Sequence, residues 1–434
     1  MKKSLFFKNL SWTLVSKFIQ LFAQMLIGVF VARYLKPDQK GILDYVASFV
    51  TFGTSIVSMG VSGVIVNEFC NSGEKDGKIL GSVMTFQLIV SAVTSAAILG
   101  LVAFLNKGDS RLFIIAVIEL SSLLFGAFGT FAFWFQARDR MRLAAFIQLI
   151  AQFVVVLYKA VIIIFKCSIL FFAFSPLLEA FTLAVLYFYG YGRYKKEGLS
   201  VSISTAKKIF FLSFPFLIAD VMIFLYQCMD KIMIGNFIDK TTVAYYSAAT
   251  TIANMWSLIP ASFANVIRPK VMEAKKSDDA LYRRRLTETF SGLIYCAIPF
   301  SVMMTFIGKY VIWVLYGADY LEGTSALRIV VWYCAFSYIG TGRSIYLICE
   351  NKNRFVPIFC MWGAISNAIL NIVLIPRFSI DGAAYATLLT QIIANIIVPF
   401  LFKETREYVG YVVKGLIRID YVIRDIKEIF GRNG

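Results

Sequence analysis

The chain of 434 residues contains no histidine. That absence excludes Ser-His-Asp triads, metal sites built on histidine and histidine-dependent membrane acyltransferases. Charged residues are also scarce, at 16% of the chain, whereas hydrophobic residues make up 59%; soluble domains carry roughly 25% charged residues. Because the polar minority is grouped between long apolar runs, the sequence predicts an all-α, polytopic membrane protein.

Cysteine is present, but its pattern indicates neither a disulfide framework nor a metal site. The seven cysteines form an odd number, and no C-x-x-C pair occurs. Most lie in or beside apolar runs, which is typical of small buried hydrophobic residues. The segment Gly73–Lys78 is one residue too short for a phosphate-binding loop and lacks its final Ser or Thr. The sequence therefore predicts no metal, no cofactor, no catalytic residue and no enzymatic activity.

Apolar runs long enough to cross a hydrocarbon core of about 30 Å recur along the chain. Lys2 and Lys3 precede the first run as in a signal peptide, but that run is too long and ends at Arg33 without a cleavage site, so we expect a retained helix. We predict twelve membrane spans, at 11–34, 41–66, 79–105, 112–136, 143–165, 169–191, 209–234, 242–267, 289–315, 326–349, 355–378 and 380–402.

Lys and Arg are distributed unequally between the two sets of loops. With the N-terminus inside, the inner segments hold 29 of these residues, and the outer segments with their borders hold 10. This bias predicts that both termini are cytoplasmic. This bias is the expected main cause of the net charge of +17, and a role of the charge in attracting an anionic lipid or substrate is the alternative for the remainder. Nucleic acid is not an expected partner, because the basic segments border membrane spans.

The basic segment 192–208 divides the predicted spans into six plus six, and the two halves resemble each other. With an offset of 201 residues, Asp38 matches Asp239 and Tyr45 matches Tyr246. Such repeats are typical of transporters with two related lobes; chance similarity between apolar helices is the alternative. The predicted organisation is an N-terminal lobe (1–191), a basic cytoplasmic linker (192–208), a C-terminal lobe (209–402) and an amphipathic basic tail on the cytoplasmic leaflet (403–434).

The first two spans each carry one polar stripe at helical spacing. Lipid cannot satisfy such groups, so each stripe must face a partner helix or a wet cavity. The first stripe consists of Thr13, Lys17, Gln20 and Gln24, and the second consists of Asp44, Ser48, Thr51, Ser55, Ser58 and Ser62.

The turn between these spans resembles a known family. Its pattern is Ala32-Arg33-x-Leu35-x-Pro37-Asp38-x-x-Gly41, followed by Met59-Gly60-Val61; the second half adds Tyr226, Asp230, Lys231, Gly235, Tyr246, Ala248 and Pro269. These residues resemble Wzx-type polysaccharide flippases of the multidrug/oligosaccharidyl-lipid/polysaccharide exporter superfamily, although that family usually has Gly in place of Lys36. The resemblance implies two pseudo-symmetric six-helix lobes around a central cavity, with transport by alternating access.

Polar residues at membrane depth are the candidate site residues, because a central charge costs about 2.5–3.5 kcal/mol to insert. Lys17 and Arg343 lie where a phosphate could enter from the inner leaflet. The planar guanidinium of Arg can donate two parallel hydrogen bonds to a phosphate. Asp220 and Glu119 are predicted coupling residues, since a buried carboxylate can change protonation. The alternatives are an ion pair or hydrogen bond for Asp220, for example with Lys17, and pairing of Glu119 with Lys159. The predicted substrate-binding residues are Lys17, Gln20, Gln24, Asn254, Asn367 and Arg343.

Three functions are compatible with these features. The resemblance favours a flippase that moves an undecaprenyl-pyrophosphate-linked oligosaccharide, an O-antigen or capsular repeat unit, across the bacterial inner membrane. The expected partners are that lipid-linked oligosaccharide, membrane lipids, a proton or cation, and other polysaccharide-assembly proteins. A cation-coupled multidrug exporter is the first alternative, although its cavity should be dominated by acids. A membrane glycan polymerase or acyltransferase is the second, but the longest outer loops have only about ten residues.

Overall fold

The computed structural model of the chain describes residues 2–71, 75–194 and 197–418, without the side chains of residues 2–19, 21, 226, 227, 257–259, 261, 262 and 265. The chain forms two compact units, Met1–Phe224 (unit 1) and Leu225–Gly434 (unit 2). Every regular element in the described residues is helical, which confirms the predicted all-α class. The predicted lobe and linker boundaries, and the central cavity, remain predictions.

Unit 1 is a helical bundle with an aromatic core. Its elements are α1 (Lys2–Val57), α2 (Ile65–Asn71), α3 (Asp76–Leu105), α4 (Ser110–Leu120), α5 (Ser122–Gly126), α6 (Thr130–Ala137), α7 (Met141–Ile164), α8 (Ile169–Tyr194) and the first part of α9 (Ile203–Phe237). Helix α1 packs against α3, α4 and α7, and α8 packs against α4 and α7. Phe131, Phe135 and Tyr187 are buried in the core between these helices.

The predicted turn at Arg33–Gly41 is a sharp kink inside α1. Lys36 has φ 57° and ψ 171°, and Pro37 follows it. A residue before proline is disfavoured in the helical region, and this combination of angles lies close to a region that essentially only Gly populates. Two helices therefore meet at Lys36, and the position would suit glycine.

Unit 2 is built around α13. Its elements are α10 (Lys240–Asn254), α11 (Leu258–Ser277), α12 (Asp279–Tyr316), α13 (Thr324–Cys349), α14 (Phe355–Ile392), α15 (Val398–Leu401) and α16 (Arg406–Ile417). Helix α13 packs against α10, α12 and α14. A 3-10 turn at Met255–Ser257 separates α10 from α11, and a π-helical turn at Ile393–Ile397 separates α14 from α15.

Helix α14 also contains a sharp kink. Ser379 has φ 52° and ψ −130°, and Pro376 lies just before it. A Cβ on Gly382 would lie 2.2 Å from the carbonyl oxygen of Leu374, so the two halves of α14 approach too closely for any larger residue. The kink brings the segments near residues 371 and 387 close together, and both contribute side chains to a buried polar cluster.

The described residues include seven helices that are long and apolar enough to cross a membrane, or eight if Phe22–Val57 and Val61–Asn71 form one span bent by 44°. The chain is therefore a membrane protein. The predicted number of twelve remains a prediction; the predicted spans 242–267 and 326–349, which hold α10 and most of α13, are not among the seven.

The described part of the predicted tail is α16. It buries Tyr408, Tyr411 and Val412 in the unit 2 core. The hydroxyl of Tyr295 donates to the carbonyl oxygen of Leu416 at 2.7 Å and fixes the end of the helix. Residues 419–434 of the predicted tail lie outside the described residues. One face of α16 thus belongs to the fold of unit 2, and its position on the leaflet remains a prediction.

Candidate functional site

A fully buried carboxylate lies near the end of α9 in unit 2. Asp230 is 1% exposed. Its Oδ2 accepts hydrogen bonds from the Tyr246 hydroxyl at 2.7 Å and the Thr387 hydroxyl at 2.5 Å, and its Oδ1 accepts one from Asn371 Nδ2 at 2.6 Å. Buried charges persist only when hydrogen bonds compensate for lost water, and here three donors do so.

Three helices assemble this Asp230 cluster. Asp230 comes from α9 and Tyr246 from α10, while Asn371 and Thr387 come from the two halves of α14. The kink at Ser379 folds these halves back on each other. Asn367, one turn before Asn371, completes the cluster: its Oδ1 accepts a bond of 2.9 Å from Asn371 Nδ2, and it is fully buried.

The composition of the Asp230 cluster limits what it can bind. It contains one carboxylate among neutral hydroxyl and amide groups, so one positive charge would neutralise it. Asn371 Oδ1 and Asn367 Nδ2 have no hydrogen-bond partner among the described residues. Carboxylate and amide oxygens are ligands of hard cations, and the single carboxylate of Asp230 balances a single positive charge. The geometry therefore suits a proton or a monovalent cation.

The second polar feature of unit 2 joins Arg343 to the π-helical turn. A π-turn leaves carbonyl groups with irregular partners. The Arg343 Nη1 donates to the carbonyl oxygen of Ala394 at 2.5 Å, and the buried Tyr408 hydroxyl donates to that of Asn395 at 2.8 Å. Arg343 is half-buried; its Nε is buried and has no partner among the described residues, and the guanidinium has further N–H donors beyond the one bonded to Ala394.

Unit 1 has a polar face where α1 ends. Thr51 and Thr54 are exposed, and the hydroxyl of Ser58 donates to Asp220 Oδ2 at 3.4 Å. Gly60 follows at φ 63°, and a Cβ there would lie 2.4 Å from the backbone nitrogen of Leu217. The close approach of α1 to α9 thus places Asp220, half-buried, on this face.

Unit 1 also contains charged groups within its helix bundle. Glu119 is 3% exposed, and its Oε2 has no partner among the described residues. Lys159 interacts electrostatically with Glu119, Glu179 and Asp44, while Lys40 forms an ion pair with Asp44. The described residues show no direct ion pair between Glu119 and Lys159, but the two charges attract each other electrostatically, and their pairing remains a prediction.

The other predicted site residues are dispersed. Gln24 and Asn254 are exposed and Gln20 is half-buried; the side chain of Lys17 lies outside the described side chains. Asn367 lies inside the Asp230 cluster rather than on a surface. Sequence analysis did not select Asp230, Tyr246, Asn371 or Thr387 as site residues, although Asp230 and Tyr246 belong to the family pattern and Asn367 and Asn371 are one helical turn apart.

Sequence comparison assigns the family. A family profile described as "Polysaccharide biosynthesis protein" matches residues 6–274, more than half of the chain. The chain belongs to this family. The match confirms the resemblance to polysaccharide-type flippases that the turn at Arg33–Gly41 indicated.

Two curated proteins are similar to part of the chain. The chain is 23% identical over 211 residues to the capsular polysaccharide biosynthesis protein CapF of Staphylococcus aureus, covering 47% of this chain and 52% of CapF. It is 27% identical over 176 residues to the probable flippase AglR of Haloferax volcanii, covering 40% of this chain and 37% of AglR. The chain thus matches about half or less of the length of these relatives.

Two solved structures have folds similar to that of this chain. The lipid II flippase MurJ in an inward closed conformation has a TM-score of 0.71 at 17% identity, over 95% of this chain and 92% of that one. An inward-facing multidrug resistance transporter of the MATE family, within the MOP superfamily, has a TM-score of 0.69 at 12% identity, over 93% of this chain and 96% of that one. At these identities the likeness establishes the fold.

Proposed function

We propose that the protein is a flippase that moves an undecaprenyl-pyrophosphate-linked oligosaccharide from the inner to the outer leaflet of the bacterial cytoplasmic membrane. Movement would follow alternating access, with both termini in the cytoplasm. Membership of the polysaccharide biosynthesis family supports the substrate class, and AglR, a relative of this chain, is described as a probable flippase.

The observation that carries the proposal is a polar face within predicted membrane spans of each unit. Unit 1 exposes Thr51 and Thr54 in the predicted span 41–66, and unit 2 exposes Asn254 in the predicted span 242–267. Thr51 and Thr54 donate their hydroxyl groups to carbonyl oxygens of their own helix, whereas lipid chains cannot satisfy an exposed amide such as that of Asn254 at that depth. Such faces fit a protein that admits a hydrated head group while the lipid tail stays in the bilayer.

Two further features indicate which groups would bind the pyrophosphate and which would bind the coupling ion. Arg343 is half-buried, and its guanidinium N–H groups suit a pyrophosphate oxygen; Lys17 is proposed as a second cation on the path. The Asp230 cluster is proposed as the coupling site, because loading it with a proton or monovalent cation would change its charge from −1 to 0. Glu119 and Asp220 remain proposed contributors to coupling.

The test is complementation of a flippase-null strain, with surface polysaccharide as the readout. Restored surface glycan at native expression supports the proposal. Membrane insertion without any surface glycan, in a strain whose lipid-linked oligosaccharide matches the chain's own, contradicts it.

A cation-coupled multidrug exporter is the second candidate, favoured by the buried carboxylates of Asp230 and Glu119 and by the fold shared with MATE transporters. Ethidium efflux from the same cells distinguishes the two. Efflux without surface glycan would support the exporter, and surface glycan without efflux would support the flippase.

A further inference from the structure

The helix pair α10 and α11 is broken within the predicted span 242–267. The 3-10 turn at Met255–Ser257 separates the two helices. The ring of Trp256 in this turn packs on Phe300 of α12, with centroids 4.1 Å apart. Phe300 lies about 24 Å along the helix axis from the end of α12 at Tyr316, and α12 is long and apolar enough to span a membrane. The break therefore packs against the middle part of a helix that could cross a membrane.

Helix α13 stabilises the buried side of this break. The Tyr338 hydroxyl donates to the carbonyl oxygen of Trp256 at 2.5 Å, and Cys334 Sγ donates to that of Ala253 at 3.4 Å. Tyr338 and Cys334 are 2% and 3% exposed. Because these side chains satisfy carbonyl groups in and beside the break, the irregular backbone is a stable feature of unit 2.

The other side of the break carries an exposed amide. Asn254, the last residue of α10, is exposed, and its Oδ1 accepts a hydrogen bond from the half-buried Tyr333 hydroxyl. Its Nδ2 donates to none of the side chains or carbonyl groups that the structure describes. The Tyr333 hydroxyl thus holds the amide by its oxygen and leaves the Nδ2 hydrogens for a ligand.

We propose that Asn254, positioned by Tyr333, binds the saccharide part of the substrate. This inference rests on the proposed flippase function. The two Nδ2 hydrogens can donate to sugar hydroxyl or acetamido oxygens, and the Tyr333 hydroxyl holds the amide by its oxygen. At membrane depth, irregular backbone is tolerated where it is buried in protein or lines a water-filled cavity, and the exposed Asn254 amide favours a cavity on its side of the break.

The experiment compares two probes bound to the purified full-length chain in lipid nanodiscs. One probe is bare undecaprenyl pyrophosphate, and the other is the lipid-linked oligosaccharide extracted from flippase-depleted cells of the source strain. The variants are Asn254→Ala and Tyr333→Phe. The matched control is Tyr338→Phe, the same chemical change on the same helix at the buried side of the break.

The wild type should bind the oligosaccharide probe more tightly than the bare probe. Each lost hydrogen bond should weaken that preference roughly 2- to 12-fold in Asn254→Ala and Tyr333→Phe, with affinity for the bare probe unchanged and with Tyr338→Phe keeping the full preference. Equal binding of both probes by the wild type, or full preference in both variants, overturns the inference and leaves the flippase proposal intact. Failure of the wild type to bind either probe overturns the proposed function itself.

Discussion

Arg343 and Ala394 are joined by a hydrogen bond of 2.5 Å from the guanidinium Nη1 to the carbonyl oxygen in the π-helical turn. The guanidinium carbon also lies 5.1 Å from the centroid of the Phe359 ring. These contacts hold one edge of the guanidinium and leave Nε without a partner among the described residues. The side chain is half-buried and supports the turn with one N–H, and we propose that other guanidinium N–H groups donate to a ligand.

Arg343→Ala should weaken binding of undecaprenyl pyrophosphate roughly 10- to 150-fold, since one charge-assisted hydrogen bond contributes about 1.5–3 kcal/mol. Binding to the purified protein and surface glycan in cells are the measurements. Tyr408→Phe is the control, because it removes the other hydrogen bond to the π-turn, at Asn395. If Tyr408→Phe reduces binding as much as Arg343→Ala, the role of Arg343 is structural.

Asp230→Asn should uncouple transport from its driving ion. The amide keeps the volume but cannot change charge, and it retains only one acceptor for the three donors that Asp230 satisfies. Transport by liposomes containing the variant should no longer respond to an imposed pH or Na⁺ gradient. Asp220→Asn, at the half-buried carboxylate of unit 1, is the comparison. A normal gradient response in Asp230→Asn would assign coupling to another group.

Lys36→Gly should raise thermal stability in detergent. A non-glycine residue in the conformation of Lys36, φ 57° and ψ 171°, destabilises the folded state by about 1–3 kcal/mol. Glycine removes this strain, but its larger conformational entropy in the unfolded state cancels about 0.5–1 kcal/mol of the gain. Lys36→Ala keeps the strain and removes the charge, so it should leave the unfolding temperature nearly unchanged. Ser379→Gly, at φ 52°, should act like Lys36→Gly. If Lys36→Ala raises the unfolding temperature as much as Lys36→Gly does, the gain comes from removal of the charge and not from relief of backbone strain.

The ion pair between Glu350 and Lys275, at 2.9 Å, should make stability depend on pH. Burial would raise the pKa of Glu350, but the hydrogen bonds from Lys275 and Tyr282, together with the charges of Lys275 and Lys352, outweigh burial and lower it. A lowered folded-state pKa means that the stabilisation is present above the unfolded-state value of about 4.3 and is lost as pH falls through the folded-state value.

The unfolding temperature of wild type should therefore exceed that of Glu350→Gln near neutral pH, and the gap should close at pH values below about 4. Lys275→Gln should show the same behaviour, and the double variant should lose no more than either single one. A gap that persists unchanged at low pH would show that the pair does not contribute through its charge.

The predicted orientation can be tested by cysteine labelling in intact cells, starting from a variant that lacks the seven native cysteines. An impermeant reagent should label Asp38→Cys and Ile238→Cys and should miss Arg283→Cys. Ile238 is preferable to Asp239, because the Asp239 carboxylate caps α10 through the Thr242 backbone nitrogen at 2.7 Å. Labelling of Arg283→Cys from outside would reverse the orientation.

The sequence by itself determined the class of this protein and its family. Long apolar runs specify membrane helices, because backbone groups in lipid must be satisfied within the segment. Local chemistry also located the turn at Lys36, since Pro37 restricts the residue before it. These inferences depend on neighbours along the chain and on the bilayer, and both can be read from a sequence.

Only the tertiary structure decided which polar residues meet. Asn371 and Thr387 belong to one helix, yet they reach Asp230 together because Ser379 reverses the chain between them. Asn367, expected to bind substrate, is buried in the same cluster, whereas Asn254 is exposed beside a helix break. Helical spacing gives the face of each helix but not its partner. Burial and hydrogen bonding are set by contacts between residues more than 100 positions apart, such as Asp230 and Thr387, and such contacts depend on how the helices pack.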